Sequence, residues 1–151
     1  MDAPAQTGLR FYGPYMPLFL GLFFCHLGIG ITLSVLPFYV KNALGGSDVD
    51  VGTAIAAIAV AVVAARPVAG RLSDRIGHKV LMLAGAVLCA LAGAAYALAA
   101  DVPTLVGVRL LHGVGEGAVF TAGATWLVQL APAARRGKII GLYGVSMWSG
   151  V

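Results

Sequence analysis

Arg109, His112 and Glu116 recur at intervals of three and four in a run that is otherwise apolar. In a helix this spacing puts all three on one face, each beside the next. A guanidinium, an imidazole and a carboxyl in a ladder can hold and pass protons, because imidazole titrates near neutrality and its neighbours set when. About 10.5 Å of helix axis separates Arg109 from Glu116 at about 1.5 Å per residue. That gap predicts His112 or a water as the link between them. A fourth titratable group, His26, stands in a separate apolar run. Each has a purely structural alternative: the ladder as a polar network joining one helix to its neighbours, His26 as an imidazole satisfying a backbone carbonyl. A charged residue at the centre of a membrane helix costs about 2.5–3.5 kcal/mol on insertion scales. His26, Arg109, His112 and Glu116 are therefore the candidates for a substrate and proton pathway. Phe23, Phe24, Tyr39, Trp126 and Trp148 could touch a solute, but aromatics in such runs more often pack or anchor at interfaces, and none is assigned. No activated nucleophile, metal cluster or nucleotide loop accompanies them, so the chain does not read as an enzyme, and no cofactor or metal is expected. Cys25 and Cys89 both fall within apolar runs, which argues against a disulfide or metal framework.

The elements that carry these residues follow from hydropathy. Of 151 residues, 60% are hydrophobic and 11% charged, against about 25% charged in an ordinary soluble domain. The apolar residues form long blocks, at about residues 15–40, 51–68, 80–100 and 104–130, with a fifth opening near Ile139. Runs of about 18 or more read as membrane-spanning helices, and Ala- and Leu-rich blocks of this length do not fit the short alternating segments of membrane strands. The expectation is an all-α membrane protein: an antiparallel bundle of four complete spans and an incomplete fifth at 139–151, part of a longer polypeptide. The first block is too long for a signal peptide's apolar core of about 7–15 residues, and no small-residue cleavage site follows it.

Charge sets the orientation. Arg10, then Arg71, Arg75 and Lys79, then Arg135, Arg136 and Lys138 mark one side, while Asp48, Asp50 and Asp101, offset by Lys41, mark the other. Cytoplasmic loops keep the basic residues, so the reading is a multi-pass protein of the cytoplasmic membrane with its amino terminus inside. The net charge of +4 is distributed as insertion requires and does not imply a nucleic-acid partner. Ser47 with Asp50 has capping-box spacing, Asp101 and Pro103 suit a helix start, and Pro132 suits a helix stop. Gly113 with Gly117, and Gly137 with Gly141, have the small-xxx-small spacing that lets membrane helices approach closely. The third block, without charged residues in its interior, reads as scaffold.

The stretch GRLSDRIGHK, from Gly70 to Lys79, reads as a cytoplasmic loop. Gly70 and Gly77 allow tight turning there, and Arg71 and Arg75 favour the carboxyl end of the preceding helix. A positive-inside loop with one compensating acid accounts for the charges but not for their order. That order resembles the signature loop of the major facilitator superfamily, whose pattern is Gly, any, Leu, Ala, Asp, Arg, any, Gly, Arg, Lys. Gly70, Leu72, Asp74, Arg75, Gly77 and Lys79 match it. Arg66 and Pro67 upstream resemble the approach to that motif in efflux members. RLLHGVGEG, from Arg109 to Gly117, is similar to the family's fourth-helix pattern, and RRGKIIGLYG, from Arg135 to Gly144, to its fifth-helix opening. His78 departs from the pattern, as does Gln129 where an acid is common; a lock between those positions should be weak here.

The resemblance implies a secondary transporter in which the Gly70–Lys79 motif gates, Asp74 faces a helix of the second half, helices one, four and five border a cavity, and helix two faces the other half. It implies a lipid bilayer, a small solute, protons and the carboxyl-terminal half of the same transporter as partners, with proton-coupled efflux by alternating access as the expected activity. The alternatives are a proton-coupled importer of sugars or organic acids and, in another class, a small membrane scaffold that moves no solute.

Overall fold

The computed structural model describes residues 12–151; Arg10 lies outside them. All regular structure among the described residues is helical. Five main helices follow one another: α1 (Met16–Phe38), α2 (Asp48–Ile76), α3 (His78–Ala95), α4 (Val102–Leu130) and α5 (Arg136–Trp148).

The connections are local chemistry. Past Pro37, α1 unwinds into a π turn at Tyr39–Ala43, and Gly45, at φ 65°, turns the chain with a conformation only glycine adopts freely. Ser47 then caps α2: Asp50 N–H donates to its hydroxyl at 3.3 Å and Asp50 Oδ2 accepts Ser47 N–H at 2.7 Å, the reciprocal box that the spacing predicts. Lys41 pairs with Asp48 at the same corner. At the start of α4, Asp101 Oδ1 accepts from Thr104 N–H at 2.8 Å. The Thr104 donors hold the Asp101 carboxyl below the usual carboxylate range. A depressed folded-state pKa means stability that is present above the unfolded value of about 3.9 and lost as pH falls through the folded one. Asp101→Ala is therefore expected to lower the melting temperature of the full-length protein at neutral pH, with the gap to wild type closing as the solution is acidified.

One expectation is corrected here. The Gly70–Lys79 motif is not an extended loop: Gly70, Leu72, Asp74 and Arg75 belong to the last turns of α2, and Lys79 to the first turn of α3. Gly77 alone separates the two helices, at φ 92°, with its N–H donating to the Ser73 carbonyl at 3.0 Å. Good helix formers and a cation at the negative helix end carry α2 past the apolar block.

Residue pairings give the directions. Arg109, Gly113 and Gly117 of α4 meet Ala54, Ile58 and Val62 of α2 in rising order, so these helices run parallel. Gly85 and Cys89 of α3, and Tyr96 just past its end, meet Ala118, Gly115 and His112 in falling order, so α3 and α4 are antiparallel. Lys138 lies over the Tyr12 ring and Gly150 against Leu27, so α5 runs parallel to α1. Arg71, Arg75 and Lys79 thus share one end of the bundle with Arg135, Arg136 and Lys138, and Asp48, Asp50 and Asp101 share the other.

Where lipid supplies no hydrophobic drive, packing depends on close approach. Gly113 and Gly117 face α2: a Cβ on Gly113 would sit 2.5 Å from the Ile58 carbonyl oxygen, and one on Gly117 3.0 Å from the Ala65 Cβ. Gly115 and Gly85 do the same between α4 and α3. Gly137 and Gly141, by contrast, have nothing within 4 Å. Outward faces remain apolar, with Val60, Val63, Leu83, Val87 and Leu91 exposed, as a lipid-facing surface requires.

Gly13–Ala43, Asp48–Ile76 and His78–Leu98 are long and apolar enough to cross a membrane. The expected fourth span does not meet that hydropathy standard, although α4 has 29 residues. Its deficit comes from Arg109, His112 and Glu116 themselves, and α4 turns Arg109 and His112 fully inward.

Candidate functional site

Two apolar clusters occupy the two ends of the bundle. Leu18, Leu22, Leu81, Val119, Leu127 and Ile139 build one, and Leu36, Val40, Ala54, Ala99 and Leu105 the other. His26, Arg109, His112 and Glu116 lie between them as a polar layer. All four candidates from the sequence therefore lie in the part of the bundle between the clusters, but not as a single ladder.

The layer divides into two bonded groups. Arg109, 0% exposed, donates from Nε to the Ala54 carbonyl at 2.9 Å and from Nη1 to the Tyr96 hydroxyl at 3.4 Å. That hydroxyl lies 3.1 Å from His112 Nδ1. Since the Tyr96 oxygen accepts from Arg109, its proton is free to go to His112 Nδ1, which leaves the proton of a neutral His112 on Nε2. Arg109 Nη2 has no hydrogen-bond partner among the described residues, a buried donor whose desolvation costs about 1–3 kcal/mol.

The second group joins two helices. His26 Nδ1 lies 3.0 Å from the Leu22 carbonyl oxygen, which can only accept, so Nδ1 carries a hydrogen. In the neutral ring Nε2 is then a lone-pair acceptor. It points at Glu116 Oε1, 3.6 Å away. At 3.6 Å the two atoms face each other just beyond hydrogen-bond reach, close enough that a proton on either one alters the charge the other meets. Gly150, two residues past the end of α5, packs against Phe23, His26 and Leu27, so α1, α4 and the turn that follows α5 converge on the pair.

Tyr96 is the residue that sequence reasoning missed. The third span was read as scaffold because it lacks charge, yet its terminal tyrosine, rather than His112, is what Arg109 bonds to, and His112 bonds to Tyr96 rather than to Glu116. A tyrosine preceded by 18 helical residues of mostly Ala, Leu and Gly was the available signal. Tyr96→Phe removes the middle member and leaves a buried donor, Arg109 Nη1, and a buried acceptor, His112 Nδ1, unmet. It is expected to destabilise the full-length protein by about 1–3 kcal/mol, measured as a shift in thermal unfolding; an unchanged midpoint would show that the bonds carry no weight.

The motif residues lie away from this layer. Asp74 and Arg75 are exposed, and Asp74 makes no ion pair with a described residue. His78 bonds through Nδ1 to buried Ser73, bracing the Gly77 turn, while Gln129 is exposed. Arg66 sits 4.6 Å over the Phe120 ring, at the edge of the site near Glu116. Among the described residues no group of three or more His, Cys, Asp or Glu could hold a metal ion.

Apolar helices with outward apolar faces and segregated charge define an integral membrane protein. The family comparison agrees, since the model of the Major Facilitator Superfamily matches residues 18–151, and the chain belongs to that family, one of transporters rather than enzymes. An uncharacterized MFS-type transporter of Burkholderia mallei is 36% identical over 134 residues, 83% of this chain and 33% of that protein. A transporter of the same description from Burkholderia pseudomallei matches equally. The quinolone resistance protein NorA of Staphylococcus aureus is 28% identical over 133 residues, 88% of this chain and 34% of that protein. The chain thus spans about a third of the length of the relatives it matches.

Proposed function

We propose that this chain is the amino-terminal part of a secondary active transporter that exports a small solute in exchange for protons, with the His26–Glu116 pair as the proton-holding site. The observation that carries the reading is the pairing of two acceptors, His26 Nε2 and Glu116 Oε1, 3.6 Å apart between α1 and α4. With one proton the pair is neutral overall, whether carboxyl with imidazole or carboxylate with imidazolium. Without it a carboxylate is left in a low-dielectric layer, which is costly unless another positive group takes the proton's place. Exchange of proton for solute follows from that competition.

Alternating access in this family type is a rocking of two helical halves about a midplane site. The unpaired, exposed Asp74 and the basic Gly70–Lys79 segment are in a position to meet a helix of the second half, and gating is assigned to them on that ground. Likeness to a quinolone resistance protein supports export, because a transporter confers resistance by lowering the drug inside. The basic end of the bundle is assigned to the cytoplasm, in the plasma membrane, by the positive-inside rule. Full-length protein in proteoliposomes, given a pH gradient and a fluorescent quinolone, is expected to accumulate the drug on the acidic side. Accumulation that ignores the direction of the gradient would overturn the proton-exchange reading.

A further inference from the structure

Arg66 is exposed at a depth where lipid does not tolerate it. It belongs to α2, which has 29 residues and ends at Ile76, ten residues further on. Arg66 thus stands about 15 Å from the end of a helix about 43 Å long, inside a hydrocarbon core of about 30 Å. A guanidinium facing lipid there is costly, and such residues face a wet cavity instead. Its direction is fixed by α4, because Arg66 Cζ stands 4.6 Å from the centre of the Phe120 ring. Phe120 is one turn past Glu116 on the same face of α4, and the Glu116 side chain is itself 17% exposed. The ring attracts the charge but is no match for the N–H donors, and Arg66 makes no ion pair with a described residue.

We propose that Arg66, Phe120 and Glu116 form a subsite for a small zwitterion with an apolar body, its acidic group on Arg66, its basic group on Glu116 and its body against Phe120. This rests on the exchange reading above and names the solute class for it. The guanidinium fork matches a carboxylate through two parallel N–H···O bonds. At the other end the ammonium of the solute is the positive group that takes the proton's place beside the Glu116 carboxylate. The loaded site is then neutral overall. A plain cation would leave Arg66 unmatched, and a plain anion would leave Glu116 unmatched.

The test is equilibrium binding to the full-length protein at one pH, without a gradient. The probes are one fluorescent quinolone that carries an amine and a carboxyl, its methyl ester and its N-acetyl derivative. Arg66→Gln is expected to weaken binding of the zwitterion by about 10- to 100-fold, the worth of a hydrogen bond to a charged group, and to leave the ester unchanged. Arg66→Lys keeps the charge without the fork and is expected to fall between. An equal change for zwitterion and ester, or none for either, would overturn the subsite, as when a carboxylate of the second half fills Arg66. Should the variants fold poorly, the wild type decides: it is expected to prefer the zwitterion to both singly charged probes, and equal binding of all three, or of none, contradicts the proposal. The exchange reading stands or falls separately, on whether the Glu116 carboxyl titrates, which needs no solute.

Discussion

Glu116→Gln in the full-length transporter is expected to abolish proton-driven solute movement while leaving membrane insertion intact. Gln keeps the size of the side chain but cannot take up or release a proton, so the His26–Glu116 pair loses the state change on which the proposed exchange depends. The loss should reach about 10²-fold or more, the range that a positioned proton-transfer group contributes. Two controls separate this from damage to the fold. The amide is neutral and nearly the carboxyl's shape, so thermal stability should stay near wild type, and passive solute exchange between equal pH values should survive. Unchanged pH-driven transport in the variant would remove Glu116 from the mechanism.

The second large effect is steric. Gly113→Ala places a methyl group 2.5 Å from the Ile58 carbonyl oxygen and 2.7 Å from the Ala61 Cβ. Backbone cannot yield as a side-chain tip does, so α2 and α4 must move apart. Overpacking of this kind costs about 1–3 kcal/mol, and here it also pulls Ala54 away from Arg109, one turn along the same interface. Full-length Gly113→Ala is expected to show a lower melting temperature in detergent and less folded protein in the membrane. Gly107→Ala on the same helix meets nothing within 4 Å and should be neutral or slightly stabilising, since alanine favours helix by about 0.8–1.0 kcal/mol over glycine. Equal effects at the two positions would show that close approach is not what Gly113 provides.

These two residues also show how far the sequence could be read. Spacing alone put Arg109, His112 and Glu116 on one face, and composition alone separated membrane helices from any soluble fold. Pairing across helices was not legible, because periodicity reports which side of a helix a residue occupies and not what it meets. Glu116 finds His26 ninety positions earlier in the chain, and Arg109 finds Tyr96 rather than the histidine one turn away on its own helix. The Gly70–Lys79 segment was misread as a loop for a related reason. Its charges mark the end of the apolar block, but a helix continues wherever its residues favour it and water or a cap satisfies the last carbonyls. The same polar residues that make α4 the candidate helix lower its hydropathy, so the helix richest in candidate chemistry is the hardest to recognise as a span.

The most direct test of the account is infrared difference spectroscopy of the full-length protein, following the carbonyl stretch of a protonated carboxyl as the pH is raised. A band that fades with rising pH, is absent from Glu116→Gln and moves to a different pH in His26→Gln is the predicted result. A wild-type spectrum with no titrating carboxyl at Glu116, or one indifferent to the loss of His26, would contradict it.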